Sequence, residues 1–93
     1  MPFTGDTYNL NGTWNAVPGV YGIMNSRSQM IYIGETDDLK RRMAEHQADT
    51  THCMHRYGPA LVRAEGVSGG EAVRKTRERA LIAEYRPPCN QTA

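Results

Sequence analysis

Two short apolar runs joined by a polar turn constrain this chain more than any other feature. Gly19-Val20-Tyr21-Gly22-Ile23-Met24 and Gln29-Met30-Ile31-Tyr32-Ile33-Gly34 carry the β-branched and aromatic residues that suit a pleated, half-buried surface. Asn25-Ser26-Arg27-Ser28 between them has the composition of a turn. A connection this short permits only antiparallel pairing, because a parallel crossover needs a much longer excursion. A hairpin cannot bury its own face, so the rest of the chain must supply the cover.

The remaining segments supply it in a readable order. Thr36 or Asp37 is placed to cap a helix with Asp38 in its first turn. Leu39, Met43 and either Ala44 or Gln47 form the buried stripe of that helix, which runs to about Ala48. Thr50 to Tyr57 reads as a short helix stopped by Gly58-Pro59, and residues 60–67 read as a third strand. After Ser68-Gly69-Gly70, Glu71 to Tyr85 is predicted to be a long helix ended by Pro87-Pro88. Its inner side is read as Ala72, Val73, Thr76, Ala80, Leu81 and Ile82. The fold expected is α+β, a small three-stranded antiparallel sheet flanked by helices. Residues 1–17 are expected to be an irregular arm with a short hairpin at Asn11-Gly12, pinned by Trp14, and residues 18–93 the domain proper.

With 93 residues the chain holds one compact domain. No apolar run approaches a membrane span and the first residues lack a signal-peptide pattern, so a cytoplasmic protein is expected, with no membrane partner. Cys53 and Cys89 are the only cysteines and are expected to be free thiols, bridged only if the fold brings them together. His52-Cys53-x-His55 with Cys89 invites a zinc reading, but the second half of the site supplies a single ligand and the reading is set aside. Net charge is +1, yet no basic residue precedes Arg27, and Lys40-Arg41-Arg42 and Arg74-Lys75-x-Arg77-x-Arg79 are clusters. Taken alone, these are solvated helix faces paired with Glu45, Glu71, Glu78 and Glu84.

Four separated features gain meaning together. Gly19-Val20-Tyr21 and Tyr32-Ile33-Gly34 place a phenol on each strand of the hairpin. Arg42 and His46, four apart on a helix, share one face, and a guanidinium beside an imidazole suits phosphate binding coupled to proton transfer. Glu78 lies on the long helix and Asn90 just past its proline stop. Each feature alone is explained by strand propensity or by solvated helix edges. In this order and spacing the set, with Glu78-x-x-Leu81-Ile82-x-x-Tyr85-x-Pro87-x-x-Asn90 as its last part, resembles the signature of the GIY-YIG endonuclease family over residues 18–90. Val20 stands where the family name has isoleucine, a conservative β-branched exchange.

The resemblance implies a metal-dependent endonuclease that hydrolyses DNA phosphodiester bonds. It implies roles by position: Tyr21 and Tyr32 as the active-site phenols, Tyr21 activating or positioning water, and Arg42 binding the scissile phosphate. His46 is then the proton acceptor, Glu78 the ligand of a single Mg²⁺ or Mn²⁺, and Asn90 a supporting polar residue. Gly34 is expected to allow close packing behind the second tyrosine. Lys40, Arg41, Arg74, Lys75 and Arg77, with Arg79, are the candidates for tracking a nucleic-acid backbone, and Trp14, Tyr8 or Tyr57 for stacking on an unpaired base. With no separate DNA-binding segment evident, specificity is expected from the module, a homo-oligomer or a separate DNA-binding partner. Single-stranded or structured DNA is favoured over duplex. The competing reading is a non-catalytic nucleic-acid-binding or scaffold domain that retains the fold.

Overall fold

The structure, a computed structural model, describes residues 2–91. Four strands and two helices follow one another along it: β1 (Thr7–Asn9), β2 (Gly19–Met24), β3 (Met30–Thr36), α1 (Leu39–Ala48), β4 (Leu61–Gly66) and α2 (Glu71–Tyr85). Two 3₁₀ turns, Cys53–Arg56 and Pro88–Asn90, follow α1 and α2. The expected hairpin forms, with Tyr21 opposite Gly34 and Ile23 opposite Tyr32. β4 pairs antiparallel with the other edge of β2, which makes β2 a central strand buried along its whole length. The sheet has four strands rather than the three expected, in the order β1-β4-β2-β3.

The additional strand comes from the N-terminal arm. Tyr8 lies opposite Val62, and the short hairpin expected at Asn11-Gly12 does not form: β1 pairs with β4 instead, and only a turn follows it, where Gly12 N–H donates to Asn9 O at 3.0 Å. Three residues carry little β signal on their own, and β1 exists because β4 would otherwise present an unpaired edge. Polar clamps hold the preceding segment down. The Arg63 guanidinium donates to the carbonyls of Gly5 and Phe3, each at 2.9 Å. Arg77 donates to Glu65 at 2.7 Å and to the carbonyl of Pro2 at 2.8 Å.

Strand alternation sends apolar residues to both faces of the sheet. Tyr21, Ile23, Val62 and Ala64 pack with Leu39 and Met43 of α1 and with Met54, whereas Val20 and Ile33 pack with Phe3 and with Leu81 of α2. Helix α1 is capped by Asp38, whose carboxylate accepts the Arg41 amide at 3.0 Å, one residue later than expected. Thr36 is instead used to brace the cap, accepting the Asp38 amide. The buried residues of α1 are Leu39, Met43 and His46, while Ala44 and Gln47 are exposed.

Helix α2 departs further from expectation. Ala72, Val73, Thr76 and Ala80 face outward and line a shallow apolar groove, and of the expected inner set only Leu81 is buried, with Ile82 half-buried. The inward side carries Arg74, Arg77, Glu78, Leu81 and Tyr85. The reason lies in the sheet, where Glu35 and Glu65 project onto this helix. Arg74 meets Glu35 at 2.9 Å and Arg77 meets Glu65 at 2.7 Å, both pairs largely shielded from solvent. Long side chains bury their stems while their heads find charge partners, so a polar stripe becomes the packed one.

The cysteines are also a correction. Cys53 and Cys89 are disulfide-bonded, with Cα atoms 5.8 Å apart, rather than free. The two 3₁₀ turns meet at this point. Neither sulfur is then available to zinc, and among the described residues no group of three or more His, Cys, Asp and Glu side chains is arranged to hold a metal. No helix of the described residues is long and apolar enough to cross a membrane.

Candidate active site

Tyr21 stands at the centre of β2, completely enclosed. Its position depends on Gly34 directly opposite: a Cβ there would lie 2.5 Å from the Tyr21 oxygen and 2.7 Å from Cζ. The glycine therefore makes room for the first tyrosine, not the second as expected. No other residue type leaves the ring this space against the neighbouring backbone.

Around the Tyr21 hydroxyl, α1 delivers two partners from one helical face. His46 Nε2 lies 2.7 Å from the phenol oxygen and Arg42 Nε 3.2 Å from it. The guanidinium can only donate, so the oxygen accepts from Arg42 and directs its own hydrogen to His46. This assignment requires His46 Nε2 to be bare. The electrostatics agree: burial, reinforced by the charge of Arg42 and by His52 and His55, lowers the His46 pKa to about 4. A neutral ring that accepts at Nε2 carries its proton on Nδ1. Burial likewise pushes the Tyr21 phenol well above its usual range, with Tyr32 adding to the effect and Arg42 opposing it. At neutral pH the unit is a protonated phenol on a neutral imidazole.

The His46 shift has a sign that can be tested. Below about pH 6.5 the unfolded chain takes up a proton that the folded ring refuses until about pH 4. Stability from this group is therefore complete above pH 6.5 and declines as pH falls through the window to 4, by on the order of a few kcal/mol. Thermal melts of wild type and His46→Gln across that range should converge toward the acid end. Parallel curves would disprove the assignment.

Tyr32, half-buried on β3, faces the same cluster, with its ring 6.3 Å from that of Tyr21 and 5.6 Å from His46. Asn90 reaches β3 from the turn after α2. Its Oδ1 accepts the Ile33 amide at 2.7 Å and its Nδ2 donates to the Ile33 carbonyl at 2.8 Å. Asn90 thus acts as a one-residue extension of the sheet and supports the strand that bears Tyr32.

Glu78 is half-buried on the inward side of α2. Burial raises its pKa and the Glu35 carboxylate adds to that, opposed by the Glu35 backbone and by Lys75 and Arg79. Its charge also adds, as the smallest contribution, to the upward shift of the Tyr21 phenol. A polar cleft of about 430 Å³ opens beside Arg42, lined by Glu35, Asp37, Arg41, Glu45 and Arg74 among others.

Tyr21, Tyr32, Arg42 and His46 are thus gathered in one place, with Glu78 within electrostatic reach and Asn90 bracing the strand behind. The basic residues divide differently. Lys40 and Lys75 are exposed, and Arg41 is exposed beside Asp37. Arg74 and Arg77 are engaged by Glu35 and Glu65 inside the fold. One neighbour escaped sequence reasoning in this role: His52 stands edge-on to Tyr32 at 4.7 Å and to His46 at 5.0 Å. Its sequence signal is the His52-Cys53-x-His55 pattern.

A four-stranded α+β domain that joins a phenol, an imidazole and a guanidinium in one hydrogen-bonded cluster has the build of an endonuclease domain. Residues 17–92 match the model of the GIY-YIG catalytic domain, and the chain belongs to that family. It is 30% identical over 94 residues to the UvrABC system protein C of Pseudomonas savastanoi pv. phaseolicola, an alignment covering 97% of this chain and 15% of that protein. Against the same protein of Rhodopseudomonas palustris it is 33% identical over 76 residues, covering 78% of this chain and 11% of the relative. The chain thus spans about 15% of the length of the curated relatives it matches. Among solved structures, a point mutant of the N-terminal GIY-YIG endonuclease domain of UvrC from Thermotoga maritima, bound to its catalytic divalent cation, superposes with a TM-score of 0.73 at 26% identity, covering 85% of this chain and 88% of that one. The magnesium-bound form gives 0.72 at 28% identity, covering 84% and 88%.

Proposed function

We propose that this domain hydrolyses DNA phosphodiester bonds with the help of one divalent cation held by Glu78. The observation that carries the reading is the Arg42–Tyr21–His46 hydrogen-bond chain around the Tyr21 hydroxyl. Hydrolysis of a phosphodiester needs an oriented water, compensation for charge on the phosphate oxygens and a stabilised leaving alkoxide.

Arg42 lies over the Tyr21 oxygen and also pairs with Glu45 at 3.1 Å, a position shared with the cleft. Its planar fork suits a phosphate better than a lone carboxylate. Transfer of the guanidinium to the scissile phosphate uncovers the phenol to the attacking water. A buried phenol is a poor base if it must exist as a free phenolate. It works here because its proton moves to His46 Nε2 as it receives one from water, so no separated phenolate accumulates. Developing negative charge on the phosphate favours the imidazolium that results.

Glu78 fits a hard cation. It is a half-buried carboxylate crowded by a second one at Glu35, and a dication offsets both penalties. When bound, Mg²⁺ or Mn²⁺ supplies Lewis-acid stabilisation of the leaving 3′ oxygen. With one carboxylate as the main protein ligand, affinity is expected to be weak until substrate phosphate contributes.

Lys40, Arg41 and Lys75 are assigned to tracking the substrate backbone, and the internally paired Arg74 and Arg77 to shaping the cleft and holding the arm. Single-stranded or structured DNA is the proposed substrate. Both helices lie against the sheet rather than standing out to enter a groove, and Tyr8 and Tyr57 are exposed rings on which an unpaired base can stack. Labelled single-stranded, duplex and flap DNA should be incubated with Mg²⁺, Mn²⁺ or chelator and the ends mapped. Cation-dependent cuts leaving a 3′-hydroxyl and a 5′-phosphate are expected, with the unpaired substrates cut faster. Intact DNA of all three kinds with either cation would refute the nuclease assignment.

A further inference from the structure

The strand that carries Tyr32 is braced by two short turns, and a single covalent bond joins them. His52 stands just before the turn Cys53–Arg56, edge-on to Tyr32 at 4.7 Å and to His46 at 5.0 Å. Its Nδ1 accepts the Met54 amide at 3.1 Å, which fixes the ring plane relative to that turn. Asn90 closes the turn Pro88–Asn90 and holds Ile33 by both its amide and its carbonyl, at 2.7 and 2.8 Å. Cys53 follows His52, Cys89 precedes Asn90, and the two sulfurs are bonded. The bridge therefore links the residue that borders the Tyr32 ring to the residue that borders the Tyr32 backbone.

We propose that the Cys53–Cys89 bridge is a positioning element of the catalytic site, and that its two-electron reduction by a dithiol lowers turnover while the domain stays folded. This rests on the nuclease reading above. In the exchange, one thiolate of the dithiol attacks a bridge sulfur and expels the other as thiolate. The second thiolate of the dithiol then displaces the remaining protein sulfur. The products are Cys53 and Cys89 thiols, with two electrons and two protons gained, and an oxidised cyclic dithiol.

Reduction is expected to spare the fold because most of the packing lies elsewhere, in Tyr21, Ile23, Val62, Leu39 and Met43 on one face and Val20, Ile33 and Leu81 on the other. What it releases is the fixed spacing between His52 and Asn90. A displacement of about 1 Å in a catalytic group costs up to ~10²-fold in rate. The exposed cations that meet the substrate backbone are untouched, so the effect falls on kcat rather than KM.

The experiment compares four samples of the full chain: oxidised, reduced with dithiothreitol, and the Cys53→Ser/Cys89→Ser variant with and without dithiothreitol. Cleavage kinetics are measured with far-UV circular dichroism and imidazole NMR of His52. The expected result is kcat lowered at least ~10-fold in the reduced protein and in the double variant, with KM changed by less than ~3-fold. The ring-current shift imposed on His52 by Tyr32 should diminish in both. Reoxidation should restore the wild type alone, and the variant should be indifferent to the reductant, which also controls for loss of metal to the thiol. A reduced, folded protein that cuts at the oxidised rate overturns the proposal. So does global unfolding on reduction, which would make the bridge a staple of the whole domain. Should the oxidised protein fail to cut any DNA, the nuclease reading falls, and the His52 shift alone then decides whether the bridge holds that ring.

Discussion

Glu78→Gln is expected to reduce the rate of DNA cleavage by at least ~10²-fold and to leave the fold unchanged, the scale of removing one electrostatic element from a preorganised site. The exchange preserves size and the capacity to accept from the Glu35 backbone, and it removes only the charge. Indeed the variant should be slightly more stable. The carboxylate is half-buried, its pKa is raised by burial and by Glu35, and a neutral amide avoids both penalties. A raised folded-state pKa means that the ionised form is disfavoured in the native protein, so neutralisation is favourable wherever Glu78 would be charged. Loss of activity with a gain in melting temperature would separate a metal ligand from a structural carboxylate. Turnover at the wild-type rate would remove Glu78 from the chemistry, whatever the melting temperature.

Tyr21→Phe should be the other severe change, lowering kcat by ~10²- to 10⁴-fold, the range for losing a general acid–base group. The ring still fills its place over Gly34, so packing is retained. The hydroxyl is what disappears, and with it the donor to His46 and the acceptor for Arg42. His46, only 2% exposed, is left with a bare Nε2, a cost of about 1–3 kcal/mol for a buried unsatisfied acceptor. Kinetics and denaturant unfolding on the same preparation distinguish the two effects. A large loss of stability with kcat unchanged would show that Tyr21 is only a core residue. The opposite split is expected, with kcat falling far more than stability.

The placement of Tyr21, Tyr32, Arg42 and His46 is legible in the sequence, because these residues sit in segments whose local signals are strong. Tyr21 and Tyr32 lie in β-branched runs around a short turn, and a tight turn leaves antiparallel pairing as the only outcome. Arg42 and His46 share a helical face by spacing alone. The roles proposed for them come from likeness to a family, and the structure shows the hydrogen bonds that join Arg42, Tyr21 and His46. Gly34 was misassigned to the wrong tyrosine because register, which local sequence specifies poorly, places it opposite Tyr21.

The phase of α2 was misread for a different reason. Counting apolar residues favoured Ala72, Val73, Thr76 and Ala80, yet burial went to the stripe through Arg74, Arg77 and Leu81. Small side chains contribute little apolar area each, so their preference for the interior is weak. Two arginines that bury their stems against the sheet and meet Glu35 and Glu65 outcompete them. The same rotation puts Glu78 on the inward side of α2, half-buried.

By itself the sequence determined the type and order of the elements, the hairpin at their centre and which side chains were available for chemistry, since each depends on neighbours a few residues away. Only the tertiary structure decided the fourth strand, the inward face of α2 and the joining of Cys53 to Cys89. Those outcomes depend on partners tens of residues distant, an edge of β4, two carboxylates on the sheet and two turns brought together, and no local pattern encodes where such partners come to lie.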